Sequence, residues 1–208
     1  MGKDKNSKDT ILRAARKLFA LKGYDGARVE EIAREAGVNK ALIYYYFKSK
    51  EEIRITLFRD FFSKINGILI SLAQASFSYD SESTGEFMAR YRQCMEDNSD
   101  VLKTIMIESI KRETELPPVF SLVDFSDPTG LKENEVIENL KERGFNLDAE
   151  RNQRLVTEFF TGVIPDVCFT IFKEAWCSHF GITEEELTSL YENAMHHTHE
   201  EYYRTNED

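Results

Sequence analysis

The sequence predicts an all-α fold in two domains, and three observations carry that prediction. Apolar residues recur at helical spacing, as in Leu12, Ala15, Leu18 and Phe19. Strand signals are weak, with no sustained alternation and no Asn-Gly or Asp-Gly turn between β-branched runs. Charge divides the chain: residues 1–50 hold 12 basic and 6 acidic side chains, a net of +6, whereas residues 51–208 hold 15 and 31, a net of -16. The division at residue 50 suggests that one part meets a polyanion while the rest, 51–208, keeps the protein soluble.

The elements follow in order. Residues 8–22 form a helix with Arg13, Arg16 and Lys17 opposite the apolar face, and Gly23 stops it. A short helix covers about 29–36, with Val29, Ile32, Ala33 and Ala36 inward and Gly37 at its end. Asn39 is a good N-cap for the next, which runs to about Phe47. Ser49 and Glu52 read as a capping box opening a long helix with Ile53, Leu57, Phe61, Ile65, Ile68 and Leu72 on its apolar side. The polar stretch 76–85 is a connection, followed by helices near 86–97 and 100–114. Three of the four prolines (Pro117, Pro118 and Pro128) mark 115–130 as a loop. A short polar helix spans about 131–143 and ends at Gly144.

The next helix, about 148–178, carries six apolar pairs from Leu155/Val156 to Ala175/Trp176. They recur every four residues, so at ~100° per residue the stripe drifts by about 40° at each step. Such a helix meets different neighbours along its length. Pro165 predicts a kink in it. The last helix opens at Thr183 with Glu186 three residues on, a second capping box.

Composition bounds the rest. At 41% apolar residues the chain can bury a core. No apolar run approaches the ~20 residues that span a bilayer, and Arg13 breaks any leader-like run after Ile11 and Leu12. With only Cys94, Cys168 and Cys177, unpaired by any motif, a cytoplasmic protein is expected. A pI near 5.0 argues against a nucleic-acid partner until the charge division is seen.

The short helices on either side of Gly37 match a helix-turn-helix, which lays its second helix in the major groove of DNA. The residues suit that task. The helix start at Asn39 exposes backbone N–H groups, Lys40 adds charge, and Ala41 and Leu42 can touch a thymine methyl. Ile43 and Phe47 anchor the helix inward, which turns Tyr44 and Tyr45 to other faces where a phenol can bond a phosphate or a base edge.

Taken together, Ala14-Ala15, Leu18-Phe19, Gly23-Tyr24, Val29-x-x-Ile32-Ala33, Ala36-Gly37-Val38, Tyr44-x-x-Phe47 and Lys48-Ser49-Lys50-Glu51 resemble the DNA-binding domain of the tetracycline-repressor (TetR) family. The resemblance covers residues 8–58 by motif and the remainder only by length and helical pattern. It implies an N-terminal three-helix DNA-binding domain and a larger helical domain that dimerises and binds a small effector. It also implies a recognition helix at about 40–46, with Asn39, Lys40, Ala41, Leu42, Tyr44, Tyr45 and Lys48 near DNA and Lys50 where a phosphate is often met. Arg28 departs from the family's usual Thr or Ser. It cannot accept the capping bond, although its guanidinium suits a phosphate.

Under this reading the partners are an operator duplex, a second copy of the chain and a small effector, with no membrane, metal or cofactor. Aromatic and sulfur-bearing residues suggest an effector pocket at Phe87, Tyr91, Met106, Phe125, Phe160, Ile164 and Phe169, with Gly162 leaving space beside it. A dimer interface is expected at Phe172, Trp176, Leu187, Leu190, Tyr191 and Ala194, from the last two helices. His196, His197 and His199 lack an i, i+4 pair and read as a solvated helix end. The cysteines read as buried apolar residues. Two other readings stand beside the regulator. An enzyme would need a catalytic constellation in 76–208, where no nucleophile–base pattern or phosphate-cradling loop occurs. A helical interaction adaptor would show no salt-dependent retention on DNA.

Overall fold

A computed structural model describes residues 2–74, 81–111, 117–126 and 151–200. The described residues are helical and include no strand, as expected. They fall into two packing units, residues 1–64 with 98–119, and residues 65–97 with 120–208.

The first unit begins with α1 (Gly2–Gly26), longer than its apolar stripe suggested. Gly23 breaks the helical path near its end with φ 71°, a left-handed conformation that glycine tolerates. Then come α2 (Val29–Glu35) and α3 (Lys40–Tyr46), separated by Gly37 at φ 65°. Ile11, Ala15, Leu18, Phe19, Ile32, Ala33, Ile43, Phe47 and Ile53 close one apolar core. Ile11 is fully buried, while Leu12, taken for the core face, packs at its edge. The long α4 (Lys50–Gln74) starts on the expected capping box. Ser49 Oγ accepts the Glu52 N–H at 3.1 Å, and Glu52 reaches back to the Lys48 N–H at 2.6 Å.

Helix α6 (Ser99–Lys111) packs on α1 in the same unit. The buried Arg54 of α4 donates to the buried Glu108 of α6 at 2.8 Å and to Glu51 at 2.5 Å. These packing units do not coincide with the change of charge at residue 50.

The second unit contains α5 (Ser81–Asp97), which starts inside the stretch expected to be a connection. It also contains α7 (Phe120–Ser126), about two helical turns within the expected proline loop. The prolines Pro117 and Pro118 precede that helix and therefore remove no hydrogen bond from it. The helix expected at 131–143 lies outside the described residues.

The long apolar helix is divided into α8 (Arg151–Thr157), a π-helical turn (Glu158–Val163) and α9 (Ile164–Phe180). Pro165 sits in the first turn of α9, directly after the wide turn. The wide turn, with its i→i+5 step, takes up part of the drift that the four-residue repeat accumulates on a regular helix. The apolar pairs then separate into two rows. Val163 and Val167 are buried, whereas Val156, Phe160, Phe172 and Trp176 are exposed. One expectation needs correction here. The stretch Leu155–Phe180 is, by length and composition only, long and apolar enough to cross a membrane. Counting uninterrupted apolar residues missed it, because isolated polar residues such as Asp166 break the run without making the helix polar. The last helix, α10 (Glu184–Met195), packs on α9 and leads into a π-helical turn at His196–Glu200.

Candidate nucleic-acid interface

The three N-terminal helices build the site. Asn39 Oδ1 accepts the Leu42 N–H at 2.8 Å and starts α3. Ile43 and Phe47 are buried in the core, and this fixes the rotation of the helix. Tyr44 and Tyr45 are thereby turned outward, 47% and 74% exposed, so neither is an aromatic core residue. Ala41 and Lys48 are also exposed, and Leu42 is half-buried.

Arg28 precedes α2 with extended backbone and exposed side chain. Arg28 makes no side-chain capping bond, but the reciprocal bond is present: Glu31 Oε2 accepts the Arg28 N–H at 3.1 Å. Glu31 Oε1 also takes the Lys22 ammonium at 2.6 Å, and that bond is the main reason its carboxyl titrates below the usual range. The Arg28-x-x-Glu31 spacing is the second half of a capping box, a signal that attention to Arg28 alone passes over.

Two lysines are placed differently from a free phosphate ligand. Lys40 Nζ donates to Glu30 Oε1 of α2 at 2.5 Å and lies 5.7 Å from the Tyr44 ring centroid. The hydrogen bond between them lowers the Glu30 carboxyl and raises the Lys40 ammonium relative to their ordinary values. Lys50 was expected at a phosphate. Its Nζ instead donates to the carbonyls of Tyr24 at 2.7 Å and Ala27 at 3.0 Å, and sits 4.3 Å from the Tyr24 ring centroid. The carbonyls at a helix C-terminus carry partial negative charge, so an ammonium fits there. Lys50 ties the end of α1 to the start of α4.

Of the residues expected to hold an effector, Tyr91 and Phe169 are brought together around Asp166 and Tyr191 in the second unit. Phe87 and Tyr91 stack on α5 with centroids 6.3 Å apart. Phe169 stacks on Tyr191 at 4.2 Å. Phe160 is exposed, Ile164 is half-buried, and Met106 belongs to the first unit. The Phe125 side chain lies outside the described residues. An open cleft of about 920 Å³ does lie in the first unit, between Arg13, Lys17, Leu57, Asp60, Lys64 and Asp100, and none of the expected pocket residues lines it.

Gly162 was expected to leave space for a ligand. The His199 ring occupies that space, and a Cβ at 162 would stand 2.8 Å from it. His199 Nδ1 is 2.9 Å from Thr161 Oγ1, so this histidine is packed rather than part of a solvated end. No metal-binding cluster occurs among the described residues. The cysteines are half-buried and unpaired with one another.

A polar group inside the second unit was not foreseen. Tyr191 Oη donates to Asp166 Oδ1 at 2.5 Å. Burial raises the Asp166 carboxyl, partly offset by the Tyr191 bond, and burial likewise raises the Tyr91 and Tyr191 phenols. Tyr191 was expected at a dimer interface, and its hydroxyl is instead engaged within the chain. Phe172, Trp176 and Leu190 of the same expected set are exposed, as is Ala194, while Leu187 is half-buried. Asp166 and Tyr191 are 25 positions apart and Tyr91 is farther still from both, so no local motif could have revealed the group.

With this geometry in view, comparison with known proteins is decisive for the N-terminal part. Residues 11–64 match the profile of bacterial regulatory proteins of the tetR family. Those residues are therefore similar to the DNA-binding domain of the TetR family. The transcriptional repressor NicS of Pseudomonas putida is 40% identical over 60 residues, 29% of this chain and 28% of NicS. The repressor KstR2 of Mycolicibacterium smegmatis is 30% identical over 110 residues, 53% of each chain. The chain spans between about a quarter and a half of the length of the curated relatives it matches. The fold likeness runs further. The fatty acid degradation regulator FadR of Bacillus halodurans aligns over 90% of this chain and 95% of its own, with a TM-score of 0.59 at 19% identity.

Proposed function

We propose that this chain is a ligand-responsive, DNA-binding transcriptional regulator of the cytoplasm, a repressor that sits on a palindromic operator as a homodimer and is released by a small-molecule effector. Residues 1–50 are its DNA-binding domain, and residues 51–208 serve ligand binding and dimerisation. The observation that carries this reading is α3. Its cap and its two buried anchors, Ile43 and Phe47, leave Lys40, Tyr44 and Tyr45 on the outer face, with Lys48 just beyond its end. A helix so held can present phenols and an ammonium to phosphates and base edges. Arg28 at the start of α2 adds a phosphate ligand. Lys50, held on backbone carbonyls, acts by fixing α4 against α1. Repression is favoured because both relatives named above are repressors.

Dimerisation is supported by the exposed apolar row Phe172, Trp176 and Phe180 on α9, with Leu190 on α10. Contiguous aromatic patches of this kind mark protein interfaces. Two such domains would set the recognition helices about 34 Å apart, one turn of DNA. The effector binds in the second unit near Phe87, Tyr91 and Phe169. It acts by preferring one spacing of the helices, with couplings of about 1–3 kcal/mol typical.

The test is selection of duplexes from a random pool with the full chain, followed by gel-shift titration of Lys40→Ala and Tyr44→Ala. Both should bind the selected duplex more weakly while remaining dimeric by sedimentation. Unchanged affinity in both would refute this reading. Retention on DNA that does not fall with salt would favour an adaptor.

A further inference from the structure

We propose that Glu30 is an electrostatic latch on the recognition helix. It holds Lys40 in an ion pair that DNA must open, and so lowers the affinity of the chain for DNA. This rests on the DNA-binding reading above and adds a residue that the family resemblance does not assign.

Helix α2 carries three carboxylates, and their partners differ. Glu31 closes the cap of its own helix and holds Lys22. Glu35 holds Lys17 of α1 at 2.6 Å. Glu30 alone among them is bonded to the recognition helix, through Lys40 Nζ at 2.5 Å. Both side chains of that pair lie in solvent, 47% exposed for Lys40 and 62% for Glu30. The pair therefore supports no core and satisfies no buried group. It stands on the surface where the proposed DNA contacts, Tyr44 and Lys48, are also exposed.

Physical chemistry gives such a pair a defined consequence. An ammonium bonded to a carboxylate cannot at once give the same donors to a phosphate, and a carboxylate beside the groove repels the backbone. Exposed pairs are weak, so a row of phosphates can open this one. The chain then keeps a positively charged recognition face that is partly neutralised until DNA arrives. The local balance matters because Lys40 is the basic residue on α3 itself.

Full-length wild type, Glu30→Gln, Lys40→Gln, the double variant and Glu35→Gln are compared by fluorescence anisotropy on a labelled random-sequence duplex over a range of NaCl. Circular dichroism checks that each is folded. Glu30→Gln should bind more tightly, by up to about fivefold. Its log affinity should fall more steeply with log salt, by up to about one unit of slope. The gain should vanish when Lys40→Gln is also present, and Glu35→Gln should show less of it. A gain that persists without Lys40, or that Glu35→Gln reproduces, overturns the latch in favour of a bare charge effect. Equal or weaker binding by Glu30→Gln also overturns it, because Glu30 would then be positioning Lys40 for contact. Failure of the wild type itself to bind DNA removes the regulator reading and the latch together, a result distinct from the other two.

Discussion

Phe47 and Trp176 are both large aromatics near the end of a helix, and they meet opposite fates. Phe47 is 1% exposed and closes the core of the N-terminal helices, whereas Trp176 is 49% exposed on α9. Their surroundings differ in the same sense. Around Phe47 the apolar side chains are covered and the ionic groups Lys17, Glu30, Glu35 and Lys40 face water. Around α9 and α10 the apolar residues Phe172, Trp176, Phe180 and Leu190 face water, while Asp166 is bonded inside to Tyr191. The first arrangement satisfies itself within one chain. The second leaves apolar surface that burial against another surface would stabilise at ~25 cal/mol per Å². A three-helix domain that must act on DNA needs a finished apolar core and a polar exterior. A domain that pairs, as proposed for this one, needs the opposite on one side.

Five variants test this contrast. The largest effects belong to the first unit. Phe47→Ala should cost about 3–5 kcal/mol of stability in urea denaturation of the full chain, since it empties a closed core. Arg54→Met should cost a similar ~3–5 kcal/mol, because it leaves the buried Glu108 without its main partner. Adding Glu108→Leu to Arg54→Met should recover most of that loss, which separates charge burial from packing. If the double variant is no more stable than the single, packing around Arg54 is what matters.

A different response is expected from the exposed row. Trp176→Ser combined with Phe172→Ser should shift a dimer toward monomer in analytical ultracentrifugation while leaving helical content unchanged. A chain that stays dimeric would place the interface elsewhere.

The smallest effect concerns Tyr24, whose phenol is pushed up to about 12, first by burial and then by its bond to Glu51. The fold favours the neutral phenol. Its contribution is therefore present below about pH 10 and lost as pH rises toward 12. Tyr24→Phe should flatten the stability profile in that window alone. An unchanged alkaline slope would exclude this origin.

Helix positions in the first 50 residues were legible because their signals are local. Asn39 caps its own helix, Gly37 allows a left-handed turn, and Ile43 with Phe47 sets one face. The long apolar helix was legible as a problem, a four-residue repeat that a regular helix cannot keep in line, but not as its solution, the π-helical turn at 158–163. Recognition-helix residues could be picked by face, yet the partners of their charged groups could not. Lys40 finds Glu30 ten positions away, and Lys50 finds carbonyls more than twenty positions away. The expected pocket was the least legible, because an aromatic on a helix stripe looks the same whether it lines a cavity, stacks on Tyr191 as Phe169 does, or stands in solvent as Phe160 does.

By itself, then, the sequence determined the helical class, the caps and turns of the helix-turn-helix, and the division of charge along the chain. Each of these rests on residues within a turn or two of one another, or on composition summed over a long segment. Tertiary structure alone decided that Arg54 meets Glu108, that His199 fills the space beside Gly162, and that Glu30 holds Lys40. Those outcomes depend on which helix faces which, and ionic and polar side chains carry no periodic signal that names a partner on another helix.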